Sequence, residues 1–220
     1  EATHKKYKQK SKGEIHNNDK YAAMLEDLDT GIGKILDKIE ALGIGDNTYV
    51  IFMADNGAVE AVPPIKNKFD HPSTLSFKTN NYPLRGGKWT LYEGGIRVPF
   101  MVIGPGIKGG SQTNIPVTGW DILPTLSDLA GNENPLPPNL DGVSFKPLFL
   151  KGNQGNVSRK EDGLVFHYFG KSHSSIRVGD DKLIKFWNLN KVELYNLKDD
   201  PGELHDLAKS DPQKASALEA

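Results

Sequence analysis

One stretch constrains the fold more than any other: an amphipathic helix pattern that runs into an almost wholly apolar strand pattern. Tyr21, Met24, Leu25, Leu28, Ile32, Ile35, Leu36, Ile39 and Leu42 recur at steps of three and four, which aligns them on one face of an α-helix. Asn18 is placed to cap its start, and Gly43 to take the left-handed position after its end. Glu26, Asp27, Asp29 and Asp37 fall on the opposite face, where solvation explains them. After a turn at Gly45-Asp-Asn, the run Thr48-Tyr-Val-Ile-Phe-Met-Ala54 is β-branched and apolar, the pattern of a strand covered on both faces. A helix leading into such a strand predicts a doubly wound α/β sheet. Ligands of such sheets gather where the strands end at their carboxyl side, and Asp55-Asn56-Gly57 stands at that end.

Downstream, residues 58–83 are irregular, with Pro63-Pro64, Asn80-Asn81 and Pro83, and a loop of that length is usually functional or disordered. Val98 to Ile103 reads as a second buried strand, closed by Gly104-Pro-Gly106. Trp120 to Ala130 reads as a short helix capped by Thr118 and stopped by Gly131, followed by a loop over 132–142. The character changes near 151. Gly152-Asn-Gln-Gly-Asn156 resembles a linker, and four short strands are predicted at Leu164–Phe169, Ser174–Val178, Lys182–Trp187 and Val192–Leu197. Two domains follow: 1–150, carrying the α/β core, and 151–220, a small antiparallel subdomain whose tail from Asp206 to Ala220 is helical. Residues 1–16 are polar and basic and are expected to form an arm or a loop remnant.

Charge excludes some classes of partner. With 27 basic and 28 acidic residues the formal net charge is −1, so no overall field draws the chain toward nucleic acid or an anionic membrane. No apolar run approaches the roughly 18 residues that read as a transmembrane helix. There is no cysteine, which removes disulfides, thiolate metal sites and cysteine nucleophiles while leaving the compartment open. The first residues lack both an initiator Met and a signal-peptide core, so the chain is expected to begin inside a longer one.

Three groups could carry chemistry. Asp55 and Asn56 offer a carboxylate and an amide carbonyl on consecutive residues, hard oxygen ligands suited to Ca²⁺ or Mg²⁺; alone, Asp-Asn-Gly reads as a turn. Lys88, in Arg85-Gly-Gly-Lys, offers a compact cation on a loop whose glycines permit close approach to an oxyanion; alone, it reads as a solvated loop. His167, within Leu-Val-Phe-His-Tyr-Phe, is either a satisfied sheet histidine or a site residue, and both readings stay open. None of the six histidines has metal-ligand spacing. His71 reads as a surface residue of the long loop, and Asp180-Asp181 and Asp199-Asp200 as turns.

In order, these pieces resemble the C-terminal half of a type I, formylglycine-dependent sulfatase of the alkaline phosphatase superfamily. The segments that carry the resemblance are the helix and strand ending in Asp55-Asn56-Gly57; Leu84-Arg-Gly-Gly-Lys-Trp-Thr-Leu-Tyr-Glu-Gly-Gly-Ile-Arg97; Trp120-Asp-Ile-Leu-Pro-Thr-Leu-Ser-Asp-Leu-Ala-Gly131; Ser175-Ile-Arg-Val-Gly-Asp-Asp-Lys-Leu-Ile184; and Glu193-Leu-Tyr-Asn-Leu-Lys-Asp-Asp-Pro-Gly-Glu203. They span residues 19 to 208. The resemblance implies an alkaline-phosphatase-like mixed sheet sandwiched by helices, with a small C-terminal antiparallel sheet beside it. It implies hydrolysis of sulfate esters of a small molecule or carbohydrate, with Asp55 and Asn56 as ligands of Ca²⁺ (or Mg²⁺), Lys88 as the sulfate contact and His167 as a residue lent to the substrate pocket. It also implies a periplasmic, secreted or lysosomal setting. The family's formylglycine comes from Cys or Ser in Cys/Ser-x-Pro-x-Arg, which these 220 residues lack. The nucleophile is therefore expected in an absent N-terminal half, and the chain alone is expected to be inactive. Trp89 stands where the family more usually has a small residue. A phosphodiesterase or phosphonate hydrolase of the same superfamily and a non-catalytic partner subunit are the alternative readings.

Overall fold

The computed structural model describes residues 1–59, 79–150, 155–159 and 163–219. In chain order the elements are α1 (Ala2–Lys8), α2 (Asp19–Ala41), β1 (Val50–Met53), α3 (Glu93–Ile96), β2 (Phe100–Ile103), α4 (Ile122–Leu129), α5 (Lys146–Leu150), β3 (Leu164–Tyr168), β4 (His173–Val178), β5 (Asp181–Phe186), β6 (Lys191–Asn196) and α6 (Pro212–Glu219). The chain divides into two compact units. One comprises Glu1–Lys38, Met53–Phe100 and Gly163–Ala220, the other Ile39–Phe52 and Met101–Asp162.

In the first unit, α2 starts as its pattern dictates, with the Tyr21 N–H donating to Asn18 Oδ1 at 3.0 Å. The expected N-terminal arm is instead the helix α1, laid on the acidic side of α2. Thr3 Oγ1 donates to Asp27 at 2.6 Å, Lys6 pairs with Glu26 at 2.6 Å, and His4 meets Asp19 at 2.9 Å. Alternating charges on two polar helical faces drive this pairing, so Glu26 and Asp27 are contacts and not merely a solvated face. The apolar stripe of α2 is largely open: Met24, Leu28 and Ile35 are 61%, 52% and 60% exposed. Helical periodicity fixes which side chains share a face but does not supply a layer to cover them.

The small sheet is antiparallel in the order β3-β4-β5-β6. Its hairpins pair Tyr168 with His173, Val178 with Asp181 and Phe186 with Lys191. Side chains alternate across the pleat, so β5 divides its residues between two cores. Leu183 joins Leu194 and Ala215 under α6, while Ile184 joins Tyr195 and Leu197, with Tyr92 and Phe186 packed against them. The tail helix is shorter than predicted because Asp206 is used earlier: its carboxylate accepts from the Leu194 and Ala208 N–H groups.

In the second unit, β1 pairs with β2 as a two-stranded ribbon. Neither strand is buried on both faces as expected. Met53 is 38% exposed and Met101 57%, and among the described residues no third strand joins the ribbon. Thr118 precedes the predicted helix as expected; its N–H and hydroxyl both donate to Asp121 Oδ2, at 2.8 and 3.0 Å. Asp121 is fully buried and receives a bidentate pair from Arg159 at 2.8 and 2.6 Å, plus the Val143 N–H at 3.0 Å. Burial pushes its carboxyl up, but Arg159 and the two backbone donors outweigh that and hold it below the usual carboxylate range.

Candidate functional site

Two loops in the first unit meet where the sequence places its candidates. The turn after β1 presents Asp55, exposed, and Asn56, half-buried. The Gly57 N–H donates to Gly95 O at 3.0 Å, and a Cβ on Gly57 would overlap the Gly94 carbonyl oxygen. Glycine is therefore required here for close approach of the two backbones. One residue on, the Lys88 N–H donates to Ala58 O at 3.1 Å. Asn81 stitches the same seam: its Oδ1 accepts from the Ala58 N–H at 2.9 Å, and its Nδ2 donates to Ala58 O at 3.0 Å and Gly86 O at 2.9 Å. Asp55, Asn56 and Lys88 thus lie on loops fastened to each other by main-chain bonds. Lys88 is half-buried, with Nζ 5.6 Å from the centre of the Trp89 ring. Trp89 has φ +72°, a conformation that is a genuine outlier for a bulky side chain.

Segment 85–95 is held on its other side by the small sheet. The Gly94 N–H closes the loop onto Arg85 O at 2.8 Å. The Leu91 N–H donates to His173 Nε2 at 3.3 Å, which leaves the ring proton on Nδ1; burial holds His173 below its ordinary value. Beneath Glu93 lies a cluster of buried charges. Lys182, 1% exposed, donates from Nζ to Glu93 Oε1 at 2.9 Å. It also lies 2.8 Å from Glu203 Oε1, as an ion contact without hydrogen-bond alignment. Glu203 Oε2 accepts from the Glu93 N–H at 2.6 Å. Burial raises the Glu203 carboxyl above its ordinary value, only partly offset by Lys182 and the Glu93 N–H. Beside this cluster, Glu193 Oε2 accepts from Tyr92 and Tyr195 at 2.8 and 2.7 Å, and Lys191 pairs with Oε1 at 2.6 Å. Burial pushes Glu193 up, but these partners outweigh it and hold the carboxyl below its usual range.

His167 is not brought to this seam. It is exposed on β3, its Nδ1 is paired with Ser174 Oγ, and its ring meets Phe169 edge-on at 4.4 Å. By strand alternation it lies on the opposite sheet face from His173 and Lys182, which receive residues 91–93. His71 lies outside the described residues. Sequence reasoning assigned no role to Glu93, Lys182 or Glu203. A signal for Lys182 was present: it alternates with Ile184 and Phe186, so it belongs to an apolar strand face and needs a counter-ion there.

As metal ligands, Asp55 and Asn56 have suitable chemistry but supply two of the six to eight oxygens that Ca²⁺ takes. No group of three His, Cys, Asp or Glu able to hold a metal occurs among the described residues.

Comparison with known proteins gives concordant results. The sulfatase family model matches residues 1–132, and a model described as the C-terminal part of N-sulphoglucosamine sulphohydrolase matches residues 87–219. A sulfatase of Formosa agariphila is 34% identical over 233 residues, covering 95% of this chain and 39% of that protein. The steryl-sulfatase of Rattus norvegicus is 37% identical over 150 residues, covering 67% of this chain and 24% of that protein. The crystal structure of Ps i-CgsB in complex with k-i-k-neocarrahexaose superposes with a TM-score of 0.73 at 30% identity, over 91% of this chain and 41% of that one. A protein solved in complex with its substrate D-glucosamine-2-N,6-O-disulfate gives 0.70 at 26% identity, over 91% and 38%. The chain spans well under half the length of these relatives. Its fold is the mixed α/β, alkaline-phosphatase-like architecture of those sulfatase structures. The two family matches together run through the turn at Asp55, the Lys88 loop and the small sheet that holds it, and the chain belongs to the sulfatase family.

Proposed function

We propose that this chain is the C-terminal portion of a sulfatase that hydrolyses sulfate esters, with carbohydrates as the favoured substrate class. The observation that carries the reading is the seam between the Asp55-Asn56-Gly57 turn and the Lys88 loop, held by Gly57 N–H to Gly95 O, Lys88 N–H to Ala58 O and the Asn81 side chain. In this reading Asp55 and Asn56 supply two oxygen ligands to Ca²⁺, or to Mg²⁺, whose charge when bound would lie beside the sulfate. The Lys88 ammonium takes a sulfate oxygen and offsets negative charge in the transition state. His167, exposed on β3 and away from that seam, is lent to the substrate in the same reading. A formylglycine nucleophile and the remaining ligands come from an N-terminal half outside these 220 residues, and the chain alone is inactive. The open apolar stripe of α2 supports a further layer of that kind. The similarity to a steryl-sulfatase and to a protein bound to its substrate D-glucosamine-2-N,6-O-disulfate supports a sulfated substrate, and the similarity to a structure in complex with k-i-k-neocarrahexaose supports a carbohydrate. A periplasmic, secreted or lysosomal setting belongs to the same proposal; among the described residues no helix is long and apolar enough to cross a membrane.

The test is Lys88→Ala in the full-length protein, assayed on an aryl sulfate. Loss of one preorganised contact to developing charge lowers kcat about 10²–10³-fold. An unchanged kcat/KM removes Lys88 from the site, and turnover of a phosphodiester in preference to the sulfate ester moves the reading to the phosphodiesterases.

A further inference from the structure

The buried charges beneath Glu93 lie far along the chain from the Lys88 loop yet grip it at both ends. Glu203 is completely buried and sits at φ +53°, a left-handed conformation that a non-glycine residue adopts only where its surroundings hold it. That conformation lets one residue present two acceptors. Its main-chain carbonyl accepts from Arg85 Nη1 at 3.0 Å, and its carboxylate accepts from the Glu93 N–H at 2.6 Å. Arg85 and Glu93 are the two feet of the loop that carries Lys88, and the Gly94 N–H to Arg85 O bond closes it between them. Lys182 fixes the carboxylates of Glu93 and Glu203 relative to each other, and Arg85 is steadied further by the Tyr195 hydroxyl at 2.8 Å and the Tyr92 ring at 4.0 Å. A buried ion cluster is a poor source of net stability compared with apolar packing. What it supplies is direction, through the aligned bonds from Lys182 Nζ to Glu93 Oε1 and from the Glu93 N–H to Glu203 Oε2, each of which fixes an angle as well as a distance.

We infer that Glu203, oriented by Lys182, is a positioning residue for Lys88: its carbonyl and carboxylate clamp the two ends of the loop and so set where the Lys88 ammonium stands. The inference rests on the reading of Lys88 as the sulfate contact. Glu203 touches no substrate and acts only through the loop.

The test uses the full-length protein with Glu203→Gln, which keeps the shape and removes the charge. Arg85→Lys is the second variant; it loosens the clamp from a partly exposed side chain and survives folding if Glu203→Gln does not. Backbone amide exchange across residues 86–92 should quicken in both variants while the core of the small sheet stays protected. On an aryl sulfate, a misplacement of about 1 Å lowers kcat by up to ~10²-fold, with KM little changed because the contact strengthens in the transition state. In a Lys88→Ala background that loss should vanish, since the clamp then has nothing to position. Unchanged exchange in the loop overturns the inference, whatever the activity. A Glu203→Gln or Arg85→Lys deficit of equal size with and without Lys88 also overturns it, because the effect then bypasses the loop. If Lys88→Ala is silent while loop exchange still quickens in the variants, the clamp stands and the functional reading of Lys88 fails.

Discussion

Replacing Lys182 with Met should make the stability of this protein strongly pH-dependent. Met fills a similar volume but removes the cation that, among the described residues, stands nearest two buried carboxylates, Glu93 Oε1 at 2.9 Å and Glu203 Oε1 at 2.8 Å; Arg97 and Arg177 reach only the other Glu93 oxygen, at 3.9 and 4.0 Å. Breaking a buried pair by deleting one partner destabilises by about 3–5 kcal/mol, because the remaining charge is left desolvated. For a span of this size each kcal/mol shifts the melting temperature by about 2–4 °C, so the loss at pH 8 is about 6–20 °C. Protonation offers a way out. The Glu203 carboxyl already lies above its ordinary value through burial, with Lys182 opposing that rise; in the variant it climbs further. An acid raised in the folded state contributes stability that is fully present below its unfolded value of about 4.3 and is lost as pH rises through the folded value. The deficit of Lys182→Met against wild type should therefore be small near pH 5 and full at pH 8. Thermal melts of both proteins at the two pH values measure it. A variant as stable as wild type at pH 8, or one with the same deficit at both pH values, would show that Lys182 does not offset the burial of the Glu203 carboxyl.

Two further outcomes test the rest of the structure. Asp121→Asn leaves the partly exposed Arg159 without the bidentate acceptor buried beneath it and should lower stability by about 3 kcal/mol at pH 7. Asp121 is held below its usual range, so its contribution is present above the unfolded value of about 3.9 and lost as pH falls through the folded one; the gap in melting temperature should narrow toward pH 3, and a constant gap refutes the assignment. Asp55→Ala in the full-length protein should abolish or sharply weaken Ca²⁺ binding in a calorimetric titration, and an unaltered isotherm removes Asp55 from the ligand set.

Local signals survived into the structure where a single turn or pleat decides them. The Asn18 cap, the course of α2, the four strands of the small sheet and the Thr118 start are all determined within a few residues, because propensity, capping and period act at that range. Burial did not follow in the same way. The stripe of α2 and the run Val50–Met53 both have core-like patterns, yet the stripe stands largely open and the run is only half-buried up to an exposed Met53, since a pattern states what an element can bury and only a neighbouring layer buries it. No local pattern marks the helix α1, because its order depends on Asp19, Glu26 and Asp27 of another helix rather than on an apolar face of its own.

The site divides along the same line. By itself the sequence determined that Asp55, Asn56 and Lys88 stand on adjoining loop segments in a sulfatase-like order, since motif identity and spacing are carried by the chain. Only the tertiary structure decided how those loops are held: Gly57 and Ala58 against Gly95 and Lys88, and Glu203 with Lys182 beneath Glu93. Those partners are separated by some thirty to over a hundred positions (the Glu93 N–H to Glu203 bond spans 110), and no local pattern encodes such a pairing. A buried carboxylate is tolerated only where folding delivers its cation, so the charges that fix the Lys88 loop acquire their meaning only when the small sheet closes over it.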